Sequence, residues 1–218
     1  MRKQLLTAAI GRHESRFREL HDGRFREYAA HWGFEYRPCF GPVDVSPHHH
    51  LYWSKTRLIQ DSLAELDDGD LVVWLDADIL IVRGDVEVTT SKSLGITYDV
   101  WDPSNFPRTW KDDQLFGASR LNVGVLAVRN NALMRDLFQR AHANTMFDAT
   151  PWPDQIALVH EMQRSTLQEM DQHFEIIPRC LNVTLGMSVP PEEIRFRHFA
   201  GEFHLGWDPA AAAKPIIF

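Results

Sequence analysis

The sequence contains little cysteine and no long hydrophobic run. Its two cysteines, Cys39 and Cys180, lack a paired spacing, so we expect neither a disulfide framework nor a thiolate zinc site. No apolar run approaches the length of a membrane span, and the apolar stretch near the N-terminus is too short for a signal peptide. We therefore expect a soluble, cytoplasmic protein without a membrane span.

The sequence also lacks an excess of basic residues. Its formal net charge of −7 gives no overall basic surface for non-specific binding to a phosphate backbone. The hydrophobic share of 44% and the charged share of 24% are those of an ordinary folded protein and argue against general disorder. A length of 218 residues favours a single domain that spans residues 1–218.

One segment, from Asp70 to Arg83, organises the rest of the chain. Five apolar residues precede Asp76 and Asp78, and four more follow. An apolar run without alternation predicts a strand that is buried on both faces. Two carboxylates at the end of such a strand cost desolvation energy unless a cation offsets it, as a divalent metal with a phosphorylated ligand would. The Asp-X-Asp pattern at 76–78 therefore predicts a metal site.

Strand and helix patterns alternate along the chain. The predicted strands, besides the central one, are Gln4–Ile10, Phe34–Pro38, Ser93–Tyr98, Asn122–Val128, Phe174–Pro178 and Ile194–Phe199. The predicted helices are Glu14–Trp32 with a break at Asp22–Gly23, Tyr52–Leu66, one capped by Asn130 or Asn131, and one opened by Pro151–Gln155. This order predicts an α/β fold with a mainly parallel central sheet flanked by helices. Residues 7–12 then lie where open α/β sheets bind ligands.

Three loop features are open to more than one interpretation. The long polar and aromatic stretch Asp99–Arg120 is typical of a binding loop. Trp101, Trp110 and Trp207 lie in loops, where an exposed ring stacks on a sugar or a base, although core packing is the alternative. The three histidines at 48–50 favour a solvated loop or the edge of an acceptor site over a metal site, because adjacent side chains point in different directions.

Six short motifs follow one another in a recognisable order: Tyr28–Gly33, Trp53–Lys55 ahead of a helix, Val73–Asp78, Asn122–Gly124, Asp154–Gln155 and His198–Gly201. Their joint order resembles that of the GT-A glycosyltransferases, particularly the retaining families 8 and 34, across roughly residues 1 to 207. The resemblance implies a single GT-A (Rossmann-like) domain. It also implies transfer of a sugar from a nucleotide-sugar donor, a UDP-sugar foremost, to an acceptor.

The resemblance implies a role for residues on the donor side. Asp76, Asp78 and His198 would bind Mn²⁺ or Mg²⁺, with Asp76 shared between the metal and the ribose. Thr7, Ala8 and Arg12 would lie near the nucleotide, and Lys55 would lie near the pyrophosphate or the base. In one position the chain departs from family 8, because His204 stands where that family has a diphosphate-binding lysine.

On the sugar side, the resemblance places Asn122, Asp154 and Gln155 beside the sugar that is transferred. Gln155 would face the anomeric carbon opposite the leaving group. Because an amide is a weak nucleophile, we expect a same-face displacement through an oxocarbenium-like state, stabilised by the dipole of Gln155 or by Asp154. The acceptor hydroxyl would lose its proton to the leaving phosphate, and the sugar would keep its anomeric configuration.

Alternative functions remain at this stage. A haloacid-dehalogenase phosphatase also has Asp-X-Asp after a buried strand, but it needs Thr or Val where this chain has Leu80. A sugar nucleotidyltransferase would have a glycine-rich basic loop near the N-terminus, and a non-catalytic carbohydrate-binding protein would keep the fold without the reaction. The small size and absent anchor resemble bacterial or viral enzymes. A glycan, a protein, a lipid head group, a small molecule and a modified nucleic-acid base are all open as acceptors.

Overall fold

A computed structural model describes residues 1–48, 50–98, 121–184, 187, 189–199 and 215–218, without the side chain of Arg12. The predicted nucleotide contacts of Arg12 and His204, the predicted binding loop at 99–120 and the ring of Trp207 lie outside the described residues. Within the described part, no helix is long and apolar enough to cross a membrane.

The described chain forms two sheets. Their strands are β1 (Lys3–Ala8), β2 (Glu35–Cys39), β3 (Leu71–Leu75), β4 (Ile79–Ile81), β5 (Leu94–Tyr98), β6 (Leu121–Arg129), β7 (Phe174–Ile176), β8 (Val183–Thr184) and β9 (Phe196–His198). The larger sheet has the order β2-β1-β3-β6-β5-β7, and the smaller one β4-β9-β8. In the larger sheet β6 runs antiparallel to both neighbours, while the other strands are parallel to one another. The predicted mainly parallel sheet is confirmed.

Helices cover both faces of the larger sheet. They are α1 (Glu14–Leu20), α2 (Asp22–Trp32), α3 (Ser54–Glu65), α4 (Ala132–Ala143), α5 (Pro153–Gln163) and α6 (Leu167–His173). Asn131 caps α4 by accepting a hydrogen bond from the Met134 amide at 2.9 Å, which decides between the two predicted caps. Gly33 ends α2 in the left-handed conformation, with φ of 72°, which glycine adopts without steric cost.

The unbroken apolar run of β3 results from burial on both faces. Val72 and Trp74 pack into a cluster covered by α3, α4 and α5. Leu71, Val73 and Leu75 pack into a second cluster with residues of α1, α2 and the smaller sheet. Because successive side chains of a strand point to opposite faces, each cluster receives every second residue of β3. The sequence prediction for this strand is confirmed.

The smaller sheet begins where β3 ends. The chain turns through Asp76, Ala77 and Asp78, with the Ile79 amide donating to the Asp76 carbonyl at 3.1 Å, and continues as β4 in the other sheet. β9 pairs with β4 in antiparallel register, which places His198 opposite Ile79. The corner between the sheets therefore brings residues 76–78 and His198 together.

The break between the first two helices lies at His21, so the predicted break at Asp22–Gly23 is one residue late, and both residues belong to α2. The His21 ring is buried, and its Nδ1 donates to the Ile79 carbonyl at 2.7 Å. This hydrogen bond ties the junction of α1 and α2 to the first residue of β4. The interruption is thus fixed by a tertiary contact.

Burial of His21 makes the stability of the fold depend on pH. Burial lowers the pKa of its imidazole to about 4, against opposing contributions from the Ile79 carbonyl and Asp78. Because the unfolded chain binds this proton near pH 6.5, stability is present above that pH and declines as the pH falls toward 4. Between pH 7 and pH 5 the loss attributable to His21 is at most about 2 kcal/mol.

We therefore expect that His21→Asn, which keeps a donor for the Ile79 carbonyl, weakens the pH dependence of stability. Urea unfolding of both proteins at pH 7 and pH 5 measures it. The wild-type protein should lose up to about 2 kcal/mol more than the variant over this interval. Equal losses in the two proteins would contradict the burial of a neutral histidine at this position.

Candidate functional site

Two carboxylates and one imidazole converge at the corner between the sheets. One potential ligand atom from each of Asp76, Asp78 and His198 lies within 4.8 Å of the others. The His198 Nε2 atom is 3.2 Å from Asp78 Oδ1 and 3.8 Å from Asp76 Oδ2. The structure thus brings together all three predicted metal ligands, and their oxygen and nitrogen atoms suit a divalent cation such as Mn²⁺ or Mg²⁺.

Backbone hydrogen bonds hold this corner. The Asp76 amide donates to the Gly124 carbonyl of β6 at 2.9 Å, and the Phe199 amide donates to the Asp78 carbonyl at 3.1 Å. The Trp74 indole Nε1 donates to Asp76 Oδ1 at 2.5 Å. The aspartates are therefore anchored from β6, from the chain after β9 and from within β3 itself.

Lys55 connects the corner to the first turn of α5. Its side chain is buried, and its Nζ lies 3.1 Å from Asp76 Oδ1 and 3.1 Å from Asp154 Oδ2. Asp154 is also buried, with 5% of its surface exposed. The resemblance places Lys55 near the pyrophosphate or base and Asp154 beside the transferred sugar. The structure joins these two residues through one ion pair.

The charges at this corner do not balance. Burial lowers the pKa of the Lys55 ammonium, but Asp154 and Asp76 outweigh burial and raise that pKa above its ordinary value. Burial raises the pKa of the Asp76 carboxyl more than Lys55 lowers it, and Asp78 adds to the rise. For His198, Asp78 and Asp76 outweigh burial and raise the pKa of the imidazole. The pKa values of Lys55 and His198 are therefore raised by neighbouring carboxylates, whereas that of Asp76 is raised chiefly by burial.

Gly124 makes room for the His198 ring. A Cβ atom built on Gly124 would lie 2.4 Å from His198 Cε1, 2.7 Å from Nδ1 and 2.9 Å from Asn122 Oδ1. These distances are too short for any side chain, so glycine is required where β6 passes the histidine. The signal in the sequence was a glycine inside a buried strand, which indicates a close approach by a neighbouring group.

The predicted sugar-side residues lie in two places. Asn122, in β6, accepts hydrogen bonds on Oδ1 from the Gly124 amide at 2.7 Å and from Asn182 Nδ2 at 2.8 Å. Gln155, in the first turn of α5, is half-buried, and its Oε1 accepts from the Val123 amide at 3.2 Å. Gln155 is thus held against β6, the strand that contains Asn122, and the predicted contacts of both residues with a sugar stay predictions.

The carboxyl end of β1 lies beside β3. Leu6 pairs with Trp74, so continuation of the parallel register brings Ala8 level with Asp76. Thr7 is fully buried, and its hydroxyl has no hydrogen-bond partner among the described residues; the same holds for the Ser54 hydroxyl at the start of α3. Predicted nucleotide contacts of Thr7 and Ala8 therefore fall at the same sheet edge as the carboxylates.

The first of the three successive histidines is not solvated. The ring of His48 is buried and stacks on Trp53 with 3.6 Å between ring centroids, and its Nδ1 lies 2.6 Å from Asp148 Oδ1. The prediction of a solvated loop is therefore wrong for His48, because aromatic stacking on Trp53 and a hydrogen bond with Asp148 offset its burial. His50 is exposed, and His49 lies outside the described residues.

Trp152 is an exposed aromatic residue that sequence reasoning did not single out. It immediately precedes α5, has 58% of its surface exposed and adopts a left-handed backbone with φ of 52°. A non-glycine residue in this conformation stores backbone strain, which clusters at functional sites. The described structure thus offers an aromatic ring two residues before Asp154.

Removal of the space at Gly124 tests the geometry of His198. We expect Gly124→Ala to displace the buried ring, to weaken Mn²⁺ binding at least tenfold and to destabilise the fold by about 1–3 kcal/mol. Isothermal titration calorimetry and urea unfolding measure the two effects. The matched control is Gly23→Ala in α2, where a Cβ meets nothing within 4 Å. Unchanged Mn²⁺ affinity in Gly124→Ala would refute the placement of His198.

Removal of the buried cation tests the bridge between Asp76 and Asp154. We expect Lys55→Met to cost about 3–5 kcal/mol, since it leaves a buried carboxylate unpaired. The double variant Lys55→Met/Asp154→Asn should recover part of this loss in urea unfolding, because the two residues are coupled. The comparison variant is Lys3→Met, whose ion pair with Glu87 at 2.9 Å is partly exposed, and equal costs at the two lysines would contradict the bridge.

Solved structures share this fold at low sequence identity. A glycosyltransferase involved in the glycosylation of the major capsid of PBCV-1 matches with a TM-score of 0.63 and 13% identity over 97% of each chain. The galactosyltransferase LgtC, in complex with donor and acceptor sugar analogs, matches with a TM-score of 0.52 and 14% identity over 91% of this chain and 87% of its own. The bifunctional glycosyltransferase WbbM matches with a TM-score of 0.54 and 11% identity over 92% of this chain and 46% of its own. No protein-family model and no curated protein sequence matches. The chain has the fold of the GT-A glycosyltransferases.

Proposed function

We propose that this protein is a metal-dependent glycosyltransferase that transfers a sugar from a nucleotide-sugar donor to an acceptor. The observation that carries the proposal is the convergence of Asp76, Asp78 and His198 within 4.8 Å at the corner of a GT-A fold. A fold alone does not name a reaction, but a charged site within it supports one.

The residues at the corner fit a divalent cation. They offer two carboxylates and one imidazole. The imidazole ring can lie against β6 because Gly124 has no side chain. The corner gathers the carboxyl groups of Asp76, Asp78 and Asp154, and the Lys55 ammonium group pairs with two of them, Asp76 and Asp154. A bound Mn²⁺ or Mg²⁺ would neutralise the charge that develops on a departing diphosphate.

The neighbouring residues would orient the donor. Lys55 stays charged because of its two carboxylate partners, so it would add a positive charge close to the diphosphate. Thr7 and Ala8, at the carboxyl end of β1, would line the nucleotide, as expected for a sheet edge of this kind. Arg12 and His204 remain predicted contributors to the same subsite. A UDP-sugar is the donor that we propose.

The sugar-side residues support transfer with retention. Asp154 is paired with Lys55 at 3.1 Å, and the Gln155 Oε1 atom accepts from the Val123 amide at 3.2 Å. A carboxylate neutralised by an ammonium group and an amide oxygen in a hydrogen bond are both poor nucleophiles. We therefore propose a same-face displacement in which Gln155 and Asn122 orient the sugar, and the acceptor hydroxyl loses its proton to the leaving phosphate.

The similar structures are those of glycosyltransferases, which is consistent with this proposal. One acts in capsid glycosylation, and LgtC was solved with donor and acceptor sugar analogs. An active-site mutant of LgtC, in which glutamate replaces a glutamine, also shares this fold with a TM-score of 0.55 at 13% identity, over 96% of this chain and 93% of its own. A glutamine is thus part of the active site in a protein of this fold, as we propose for Gln155.

Thermal unfolding with a panel of nucleotide sugars, with and without Mn²⁺, tests the proposal. A ligand at 100 times its Kd stabilises the native state by about 2.7 kcal/mol, which raises Tm by about 5–10 °C in a protein of this size. We expect one nucleotide sugar to give this shift only with Mn²⁺ present. Asp78→Asn should abolish the shift together with the slow hydrolysis of that nucleotide sugar.

The control is Asp68→Asn, which removes the same charge from an exposed carboxylate paired with Arg135 before the start of β3. It should leave both the shift and the hydrolysis unchanged. A metal-dependent shift without hydrolysis or transfer would indicate a non-catalytic carbohydrate-binding protein. The absence of a shift with every nucleotide sugar would overturn the proposal, and inversion at the anomeric carbon of the product would overturn retention.

A further inference from the structure

A hydrogen-bond chain runs from β6 to the His198 ring through two buried asparagines. Asn182, which precedes β8, is completely buried. Its Oδ1 lies 2.8 Å from His198 Nδ1, and its Nδ2 donates to Asn122 Oδ1 at 2.8 Å and to Thr97 Oγ1 at 2.6 Å. No sequence pattern singled out Asn182, because it lies between a short turn and a two-residue strand.

The backbone fixes the direction of every hydrogen bond in this chain. The Gly124 amide can only donate, and it donates to Asn122 Oδ1 at 2.7 Å. Because Asn122 Oδ1 is an acceptor, Asn182 must present Nδ2 to it. Asn182 Oδ1 then faces His198 Nδ1, which must carry the proton in order to donate.

The direction of these hydrogen bonds determines which nitrogen of His198 carries the proton and which one is left to face the carboxylates. With the proton on Nδ1, Nε2 is the ring nitrogen that is left to face the carboxylates, and it lies 3.2 Å from Asp78 Oδ1. At this distance either a second proton on Nε2, as in the imidazolium ring, or a metal cation in its place satisfies both atoms. The arrangement thus prepares Nε2 as a metal ligand in the way that a hydrogen bond to the opposite ring nitrogen does in metal sites.

We propose that Asn182 is a positioning residue for His198. It holds the proton on His198 Nδ1, so that Nε2 faces Asp76 and Asp78. The Gly124 amide sets this arrangement, because its hydrogen bond to Asn122 Oδ1 fixes the orientation of both asparagine side chains. The link to metal binding rests on the proposed function, whereas the tautomer itself does not.

The test combines the tautomer of His198 with its affinity for metal. In the metal-free wild-type protein, at a pH high enough to keep the His198 ring neutral, ¹⁵N and ¹³C chemical shifts of the histidine rings should report the Nδ1–H tautomer for the signal that disappears in His198→Gln. Asn182→Leu should abolish that tautomer and weaken the binding of Mn²⁺ in the presence of UDP by at least about tenfold.

The matched control is Thr97→Val. Thr97 is also fully buried and contacts the same Asn182 amide, but on the side away from His198. This variant should keep the Nδ1–H tautomer and bind Mn²⁺ within about threefold of wild type. If Asn182→Leu and Thr97→Val weakened Mn²⁺ binding equally, Asn182 would have only a structural role and the proposal would be overturned.

The measurement on the wild-type protein tests the proposed tautomer even if Asn182→Leu does not fold. An Nε2–H tautomer of His198 in the metal-free wild-type protein overturns the proposal. A wild-type protein with the Nδ1–H tautomer that binds no Mn²⁺ with UDP supports the assignment of Asn182 and overturns the proposed function instead. The two failures are therefore distinguishable.

Discussion

The structure of the candidate site depends on one constraint: the negative charge of the carboxylates at the end of a buried strand must be compensated. Asp76 and Asp78 follow the strand directly, and the buried ammonium group of Lys55 lies 3.1 Å from Asp76 and 3.1 Å from Asp154. Partly buried charges of one sign cost desolvation energy and repel one another. The folded chain tolerates this excess because Lys55, the Trp74 indole and backbone amides partly compensate it. The remaining imbalance is what a divalent cation with a diphosphate is suited to neutralise.

The topology supplies each of these groups from a different element. The Asp-X-Asp turn leaves β3 for the smaller sheet, and the pairing of β9 with β4 returns His198 to it. Lys55 comes from α3 and Asp154 from α5, while β6 contributes the glycine that the histidine requires. Because packed helices and strands hold every group, the distances within the site are set by the cores on the two faces of the sheet. A ligand would therefore meet a largely prearranged set of charges.

Part of this could be predicted from the sequence because the signals are local. Residues 71–75 show an unbroken apolar run that only two-sided burial explains, and two carboxylates directly after it identify the site. The cap of α4 is equally local, since an asparagine precedes the apolar stripe. The order of the motifs also indicated His198 as the third ligand, through resemblance to a family and not through any pattern around that residue.

The contacts that could not be predicted are those between distant segments. The Lys55–Asp154 pair joins two helix starts, and neither neighbourhood in the sequence contains a trace of the other. The sequence predicted a solvated loop for His48, but stacking on Trp53 buries its ring. Asn182 carries no periodic signal, because its environment is created by β6 and β9 after folding. Tertiary pairing of this kind has no counterpart in local propensity.

The low identity to similar structures separates what determines the fold from what determines the chemistry. At 13% identity, a structure that covers 97% of this chain still shares its fold, as expected if hydrophobic patterning and total core volume suffice for the architecture. Patterning of this kind does not require a buried lysine paired with two carboxylates, or a strand glycine that leaves space for a histidine ring. Buried carboxylates cost desolvation energy, and the glycine is needed only because the histidine ring lies beside it. They are therefore the part of the structure that argues for a reaction at this corner, independently of the fold that carries it.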